Sequence, residues 1–335
     1  MKRHHESPAT CPISISSVAC KEGYAKVYYH VRNNSGVLEK QKFQLFYRVF
    51  RPNSLNMGRP PIICIHGGLG LPSDYLLPIV DSIPYRTIIM YDQLGCGRSS
   101  VAPSTLDSFS IQNSIEDLKS LLKTLNIEEF HLYAHSAGAC IAYEYLKDMC
   151  SRSLTESDST DKSNTKNKCK CLSVVFSSSS FHIQLAKDLA DNLEHQVTQE
   201  IMSTSSNITA SQVAEKIRTS YICRTPRIPF QLKAAYAKTG LIWKGLDVIK
   251  DYVAESMLEG YEYLPPLLLL RGEYDFISEE LVFQGWANVF CGKDIECVSM
   301  KDCSHMPFLE DPTTHGSIIN EFYSRHDGKS LDDKI

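Results

Sequence analysis

The stretch Phe130-His131-Leu132-Tyr133-Ala134-His135-Ser136-Ala137-Gly138-Ala139-Cys140-Ile141-Ala142-Tyr143-Glu144-Tyr145-Leu146 decides the fold. Phe130–Tyr133 reads as a strand, Cys140–Leu146 as a helical run, and Ala134-His135-Ser136-Ala137-Gly138-Ala139 lies between them. Strand, sharp turn and helix are the context of a nucleophile elbow, where small residues two places either side of a serine let the backbone expose its Oγ. Ala134 and Gly138 hold those places. Ala134 departs from the usual Gly-x-Ser-x-Gly, and on these residues alone an ordinary strand-to-helix turn fits equally well.

The surroundings decide between the two. Ile62–Ile65, Thr87–Tyr91, Phe130–Ala134, Ser173–Phe176 and Leu267–Leu270 are short, wholly apolar runs that end in glycine-rich or polar turns. Ile111, Ile115, Leu118, Leu121, Leu122 and Leu125 recur at helical spacing between the second and third. Apolar strands alternating with amphipathic helices predict an α/β fold, a mostly parallel central sheet with helices on both faces. Val27–His30 and Phe43–Phe50 are expected to open it as a hairpin around Asn33-Asn34-Ser35-Gly36.

Composition divides the rest of the chain. Residues 1–20 are polar and irregular, a loosely ordered tail by expectation. Residues 151–170 turn to Ser, Thr, Asp, Asn and Lys, the composition of a disordered insertion. From 181 to 264 strand signals vanish, and Leu185, Leu189, Leu193, Val197 and Ile201 recur every four residues. Val213–Ile222, Phe230–Tyr236 and Val248–Leu258 also suit helices. A helical cap over 181–264, inserted in a core of 21–180 and 265–335, is the expected organisation. Such insertions above the C-terminal ends of strands shape ligand sites.

Thirty-five basic against 39 acidic side chains give a net charge of −4 over 335 residues. With no basic block, there is no footprint for nucleic acid or an anionic membrane. No apolar stretch approaches the roughly 20 residues that span a bilayer. The N-terminus lacks the apolar run of a signal peptide, so a cytoplasmic location is expected. Twelve Cys spread along the chain, with Cys64, Cys140, Cys223 and Cys297 in apolar runs, read as mostly buried thiols. Cys169-Lys170-Cys171 lacks the partners of a zinc site.

A serine nucleophile needs a base, and the base needs an acid that fixes its tautomer. In this architecture the order is Ser, acid, His. Arg271-Gly272-Glu273-Tyr274-Asp275 follows the strand Leu267–Leu270, and Asp302-Cys303-Ser304-His305 follows Ile295–Ser299. Asp275 and His305 are the expected partners of Ser136. Glu273 competes as acid but suits shaping of the turn. His131 and His135 suit packing or hydrogen bonding, and His315 and His326 a helix surface. His66-Gly67-Gly68-Leu69-Gly70 supplies a glycine turn whose Gly68 amide pairs with that of Ala137 as oxyanion donors. It matches neither a Walker motif nor a dinucleotide fingerprint, so no cofactor or metal is expected.

Met90-Tyr91-Asp92-Gln93-Leu94-Gly95-Cys96-Gly97-Arg98-Ser99 resembles the Tyr-Asp-Gln-x-Gly-Cys-Gly-x-Ser turn of the proline iminopeptidase family of serine peptidases, within the α/β-hydrolase superfamily. Glu22-Gly23-Tyr24, His66-Gly67-Gly68, Arg271-Gly272-Glu273-Tyr274-Asp275 and Ser304-His305-Met306-Pro307 extend the resemblance over about 20–315. It implies cofactor-free release of N-terminal residues, often proline, from peptides, with Asp92, Gln93 and Arg98 structural. Three departures stand out. Leu69 replaces a proline, and Ala134-His135-Ser136-Ala137 replaces a Gly-Gln/Gly-Ser-Trp sequence. Gly240-Leu241-Ile242-Trp243 stands where the family's cap carries a glutamate for the substrate ammonium. An unpaired buried ammonium is costly to bind, so Glu194, Glu200, Glu215 or Glu255 is expected to substitute for that carboxylate, and Leu69 and Trp243, at the positions that depart from the family, are the other candidate substrate-binding residues.

The leading expectation is a serine aminopeptidase acting on small peptides through an acyl-enzyme. A carboxylesterase or lipase of small acyl esters is the alternative, and a non-catalytic binding protein on the same fold stays open.

Overall fold

A computed structural model describes residues 18–32, 35–52, 58–68, 70–101, 110–157, 169–204, 207–238, 249–291 and 294–328. Eight strands form one sheet: β1 (Val18–Arg32), β2 (Leu38–Pro52), β3 (Ile62–Ile65), β4 (Ile88–Tyr91), β5 (Glu129–His135), β6 (Lys170–Ser177), β7 (Leu267–Gly272) and β8 (Ile295–Met300). Their order is β1-β2-β4-β3-β5-β6-β7-β8. β2 runs antiparallel to both its neighbours, and every other pairing is parallel.

Because strand side chains alternate between faces, each apolar run feeds two cores. Ile63, Ile65, Leu132, Ala134, Val174 and Phe176 enter one, and Ile62, Cys64, Tyr133, Val175, Leu268 and Leu270 the other. A sheet buried on both faces has no polar alternation, which is why these strands read as continuous apolar runs. The helices are α1 (Pro78–Ser82), α2 (Ile111–Leu125), α3 (Gly138–Ser157), α4 (Ile183–Thr204), α5 (Ala210–Ile217), α6 (Phe230–Tyr236), α7 (Gly285–Val289), α8 (Pro307–Glu310) and α9 (Pro312–His326). α2 and α3 pack into the first core; α1, α8 and α9 pack into the second. The Ser110 hydroxyl caps α2 by accepting from the Asn113 amide at 3.1 Å. Asn126, at φ 52°, ends it in the left-handed conformation.

Several expectations change. The opening strands are 15 residues each, longer than the runs read for them, so residues 18–20 of the expected tail belong to β1. Their cross-strand pairing with Arg51 and Phe50 holds them. Residues 151–157 of the expected disordered insertion continue α3, with Arg152 paired to Asp148 at 2.6 Å; the stretch 158–168 lies outside the described residues. No helix forms over 252–258. There the Tyr252 carbonyl and Ala254 amide bond the backbone of Ile183 and Phe181 at 3.0 and 2.7 Å instead. His315 is fully buried rather than exposed, bonded to the Tyr133 hydroxyl at 3.1 Å. Cys297 is exposed because β8 is an edge strand, while Cys64, Cys140 and Cys223 are buried.

Among the described residues no helix is long and apolar enough to cross a membrane. Nor do any three His, Cys, Asp or Glu among them form a group that could hold a metal ion.

Candidate active site

Ser136 sits at the tip of the turn from β5 into α3 with φ 53°. A left-handed backbone costs a non-glycine residue about 1 kcal/mol or more, and neighbours hold it here. Its amide donates to the Ser177 carbonyl at 2.9 Å, and its carbonyl accepts from the Ala139 amide at 3.1 Å. The residue is partly exposed while the strand beneath it is buried, as an elbow requires.

The glycine turn after β3 lies directly against this elbow. A Cβ at Gly67 would come within 2.3 Å of the His135 carbonyl and 2.7 Å of Ser136 Cβ, so only glycine permits the approach. His66 fixes the turn from the other side: its Nε2 accepts from the Gln93 amide at 2.9 Å, which leaves Nδ1–H to donate to the Gly67 carbonyl at 3.1 Å. Burial holds this imidazole below its ordinary pKa, in keeping with the neutral ring that pattern needs. Gln93 Nε2 also donates to the His66 carbonyl at 2.6 Å. Asp92 accepts from the Ser73 amide and hydroxyl and from the Arg98 amide at 2.7–2.9 Å. The 91–99 turn therefore frames the glycine turn.

Asp275 and His305 come from loops after β7 and β8. His305 Nδ1 lies 2.9 Å from Asp275 Oδ1; a carboxylate accepts, so this nitrogen carries the proton and Nε2 is the basic end. Both residues are buried. Asp275 Oδ1 also accepts from the Ile277 amide at 3.0 Å, and Arg271 Nη2 donates to the carbonyls of Glu273, Asp275 and Ile277 at 3.3–3.4 Å. Gly272 lets the two loops touch, since a Cβ there would meet the Ser304 carbonyl at 2.2 Å. Glu273 bonds the Asp302 amide at 3.0 Å, a contact that shapes the turn.

Residues that sequence reasoning passed over complete the frame. Glu310 accepts from the Ser304 amide at 2.8 Å, the Ser304 hydroxyl at 2.9 Å and the Met306 amide at 3.2 Å, gripping the chain on both sides of His305. Burial raises this carboxyl above its ordinary pKa, and the hydrogen bonds it accepts pull it back. Tyr75 joins Gly67 to His135. Glu310 follows His305 by only five positions, a signal within reach; Tyr75 carried none.

Three of the candidate substrate-binding glutamates, Glu194, Glu200 and Glu215, lie on α4 and α5. Glu200 pairs with Lys216 at 3.3 Å and Glu215 with Arg218 at 2.6 Å, both carboxylates about 60% exposed on α4 and α5. Arg218 holds the Glu215 carboxyl below its ordinary pKa. Glu194 and Glu215 line a cavity of about 970 Å³ between those helices. Leu69 and Trp243 lie outside the described residues.

This sheet order, with the Ser136 turn after β5 and the Asp275 and His305 loops after β7 and β8, is the α/β-hydrolase fold. The family model described as alpha/beta hydrolase fold matches residues 60–155. More particularly, the chain resembles proline iminopeptidases. It is 24% identical over 322 residues to the proline iminopeptidase of Saccharolobus solfataricus, covering 91% of this chain and 93% of that one. The crystal structure of the Mycobacterium smegmatis proline iminopeptidase superposes with a TM-score of 0.67 at 18% identity, over 92% of this chain and 99% of the other. That of the naproxen esterase of Bacillus subtilis gives 0.61 at 18% identity, over 91% and 92%.

Proposed function

We propose that the chain is a serine hydrolase of proline iminopeptidase type, with Ser136 as nucleophile, His305 as base, Asp275 as acid and the amides of Gly68 and Ala137 as oxyanion donors. The observation that carries this reading is the 2.9 Å contact of His305 Nδ1 with Asp275, at the strand ends from which the strained Ser136 turn also projects. His305 Nε2 takes the Ser136 proton as Oγ attacks the carbonyl, and Asp275 stabilises the imidazolium. The amides of Gly68 and Ala137 bind the oxyanion. The imidazolium then protonates the leaving amine, and water, activated by the same ring, releases the acyl group and restores Ser136. The likeness to proline iminopeptidases supports a peptide substrate with a free N-terminus, and the protein acts in the cytoplasm.

An esterase is the second reading. The ion pairs that occupy Glu200 and Glu215 favour it, because a substrate ammonium needs an unengaged carboxylate. Aminoacyl-arylamides, led by the prolyl one, and short acyl esters, each assayed beside Ser136→Ala, separate the two. Ser136-dependent release of proline is expected. Turnover of esters alone overturns the peptidase assignment, and no Ser136-dependent turnover of either overturns the hydrolase.

A further inference from the structure

His135 precedes the proposed nucleophile and is fully enclosed at 2% exposure, yet the chemistry above gives it no task. Its two ring nitrogens have partners of different kinds. Nε2 lies 2.9 Å from the backbone carbonyl of His305, which only accepts, so Nε2 carries a proton. Nδ1 lies 2.9 Å from the Tyr75 hydroxyl. That hydroxyl already accepts from the Gly67 amide at 2.8 Å, so its own proton goes to Nδ1. Every donor in the chain then has one acceptor: Gly67 N–H to Tyr75 oxygen, Tyr75 O–H to His135 Nδ1, and His135 Nε2–H to the His305 carbonyl.

These partners belong to three separate parts of the proposed site. Gly67 is in the glycine turn, His135 abuts the nucleophile, and His305 is the base. They come from β3, β5 and the loop after β8, whose positions must agree to a fraction of an ångström for in-line attack. We propose that His135 is a positioning residue, a neutral imidazole that locks the base loop to the nucleophile elbow and, through Tyr75, to the glycine turn. This inference rests on the serine-hydrolase reading above.

A neutral ring is needed for a second reason. The ring centroids of His135 and His305 are 4.9 Å apart, and a second cation at that distance would oppose formation of the His305 imidazolium. Protonating Nδ1 would also strand the Tyr75 hydroxyl hydrogen, since its acceptor would have become a donor. The titratable groups facing His135 are Tyr75, His66, His305 and His315, none of them acidic enough to favour the imidazolium. Burial, the largest influence, holds His135 well below its ordinary pKa.

His135→Leu keeps the bulk and removes both bonds, whereas His135→Gln keeps one donor and one acceptor on the same side chain. Labelling of Ser136 by a fluorophosphonate probe, with kcat and KM on the best substrate, should fall about 100-fold in rate and kcat for His135→Leu at little change in KM. His135→Gln should recover at least tenfold, and Tyr75→Phe should fall between the two. Thermal melts of all three variants separate this from unfolding. If His135→Leu folds and labels at the parent rate, or if Gln rescues no better than Leu, the proposal is overturned. Nitrogen-15 imidazole spectra decide the matter apart from activity. They should show His135 with the Nε2–H tautomer, unchanged between pH 5 and 8, and the His305 Nδ1–H resonance displaced or broadened in His135→Leu. Should the parent protein fail to label, the hydrolase reading falls alone, while an unperturbed His305 resonance in His135→Leu overturns the positioning role.

Discussion

β3 and β4 bury every residue and β5 all but its first, whereas the 22-residue α4 buries only Ile183 and Val197, and α5 only Val213. The two regions are anchored differently. The strands hold their turns through parallel hydrogen bonding and two apolar cores, so a side chain at a strand end inherits the rigidity of the whole sheet. The segment between β6 and β7 reaches the rest through scattered contacts, among them Leu232 and Ala235 in the second core, Ala186 and Leu189 against Ile277, Leu281 and Val282, Arg224 over the Tyr274 ring at 3.8 Å, Tyr221 with the His305 amide at 3.3 Å, and Lys238 with Asp74 at 2.7 Å. A thinly anchored layer can change residues at little cost to the fold.

The sharpest attempt to break this contrast is at the rigid end. Asp275→Asn should lower kcat about 10⁴-fold by giving His305 the wrong tautomer, with little loss of folding in a denaturant titration; a loss below tenfold would detach Asp275 from the chemistry. Leu132→Ala, in the middle of β5 at 0% exposure, should cost about 2 to 5 kcal/mol in the same titration.

A third test uses the buried carboxyl of Asp117 on α2, which hydrogen-bonds Tyr29 and is pushed up by burial to about 7 from 3.8. A carboxyl whose folded pKa is raised leaves stability intact below about 4 and erodes it as pH climbs through 7. The loss approaches about 4 kcal/mol above that point. Asp117→Asn should erase the slope, so that its advantage over the parent grows from pH 5 to pH 8; a constant difference in urea midpoint would refute the assignment. At the thin end the effects shrink. Val213→Ala should cost no more than about 1.5 kcal/mol, and amides of α4 and α5 should exchange with solvent well before those of β5. Lys238→Ala should cost below about 1 kcal/mol because the Lys238 side chain is 41% exposed.

The same contrast explains what could be read from the amino acids alone. Strands buried on both faces announce themselves as apolar runs, and Ile62–Ile65, Phe230–Tyr236 and Ile111–Leu125 were legible to the residue. The His305–Asp275 pairing followed from the order in which their loops leave the sheet. The 252–258 stretch misled because its apolar spacing suits a helix while its backbone bonds to 181–183 across a gap of some 70 residues. His315 misled for a related reason: α9 looks amphipathic, but the hydroxyl that satisfies His315 belongs to β5. The His135 ring bonds Tyr75 and the His305 carbonyl, partners 60 and 170 positions away that only the fold brings together. Local periodicity carries no trace of such contacts.

One feature of the sheet bears on how the protein survives in a crowded solution. Among the described residues β1 ends the sheet, with 15 residues of backbone along an open border, a template on which a stray chain would add itself and begin a fibril. Lys21, Glu22, Lys26 and Arg32 are exposed along that strand. Ionic side chains spaced this closely make docking of another strand expensive, so the outermost strand carries its own guard against self-association.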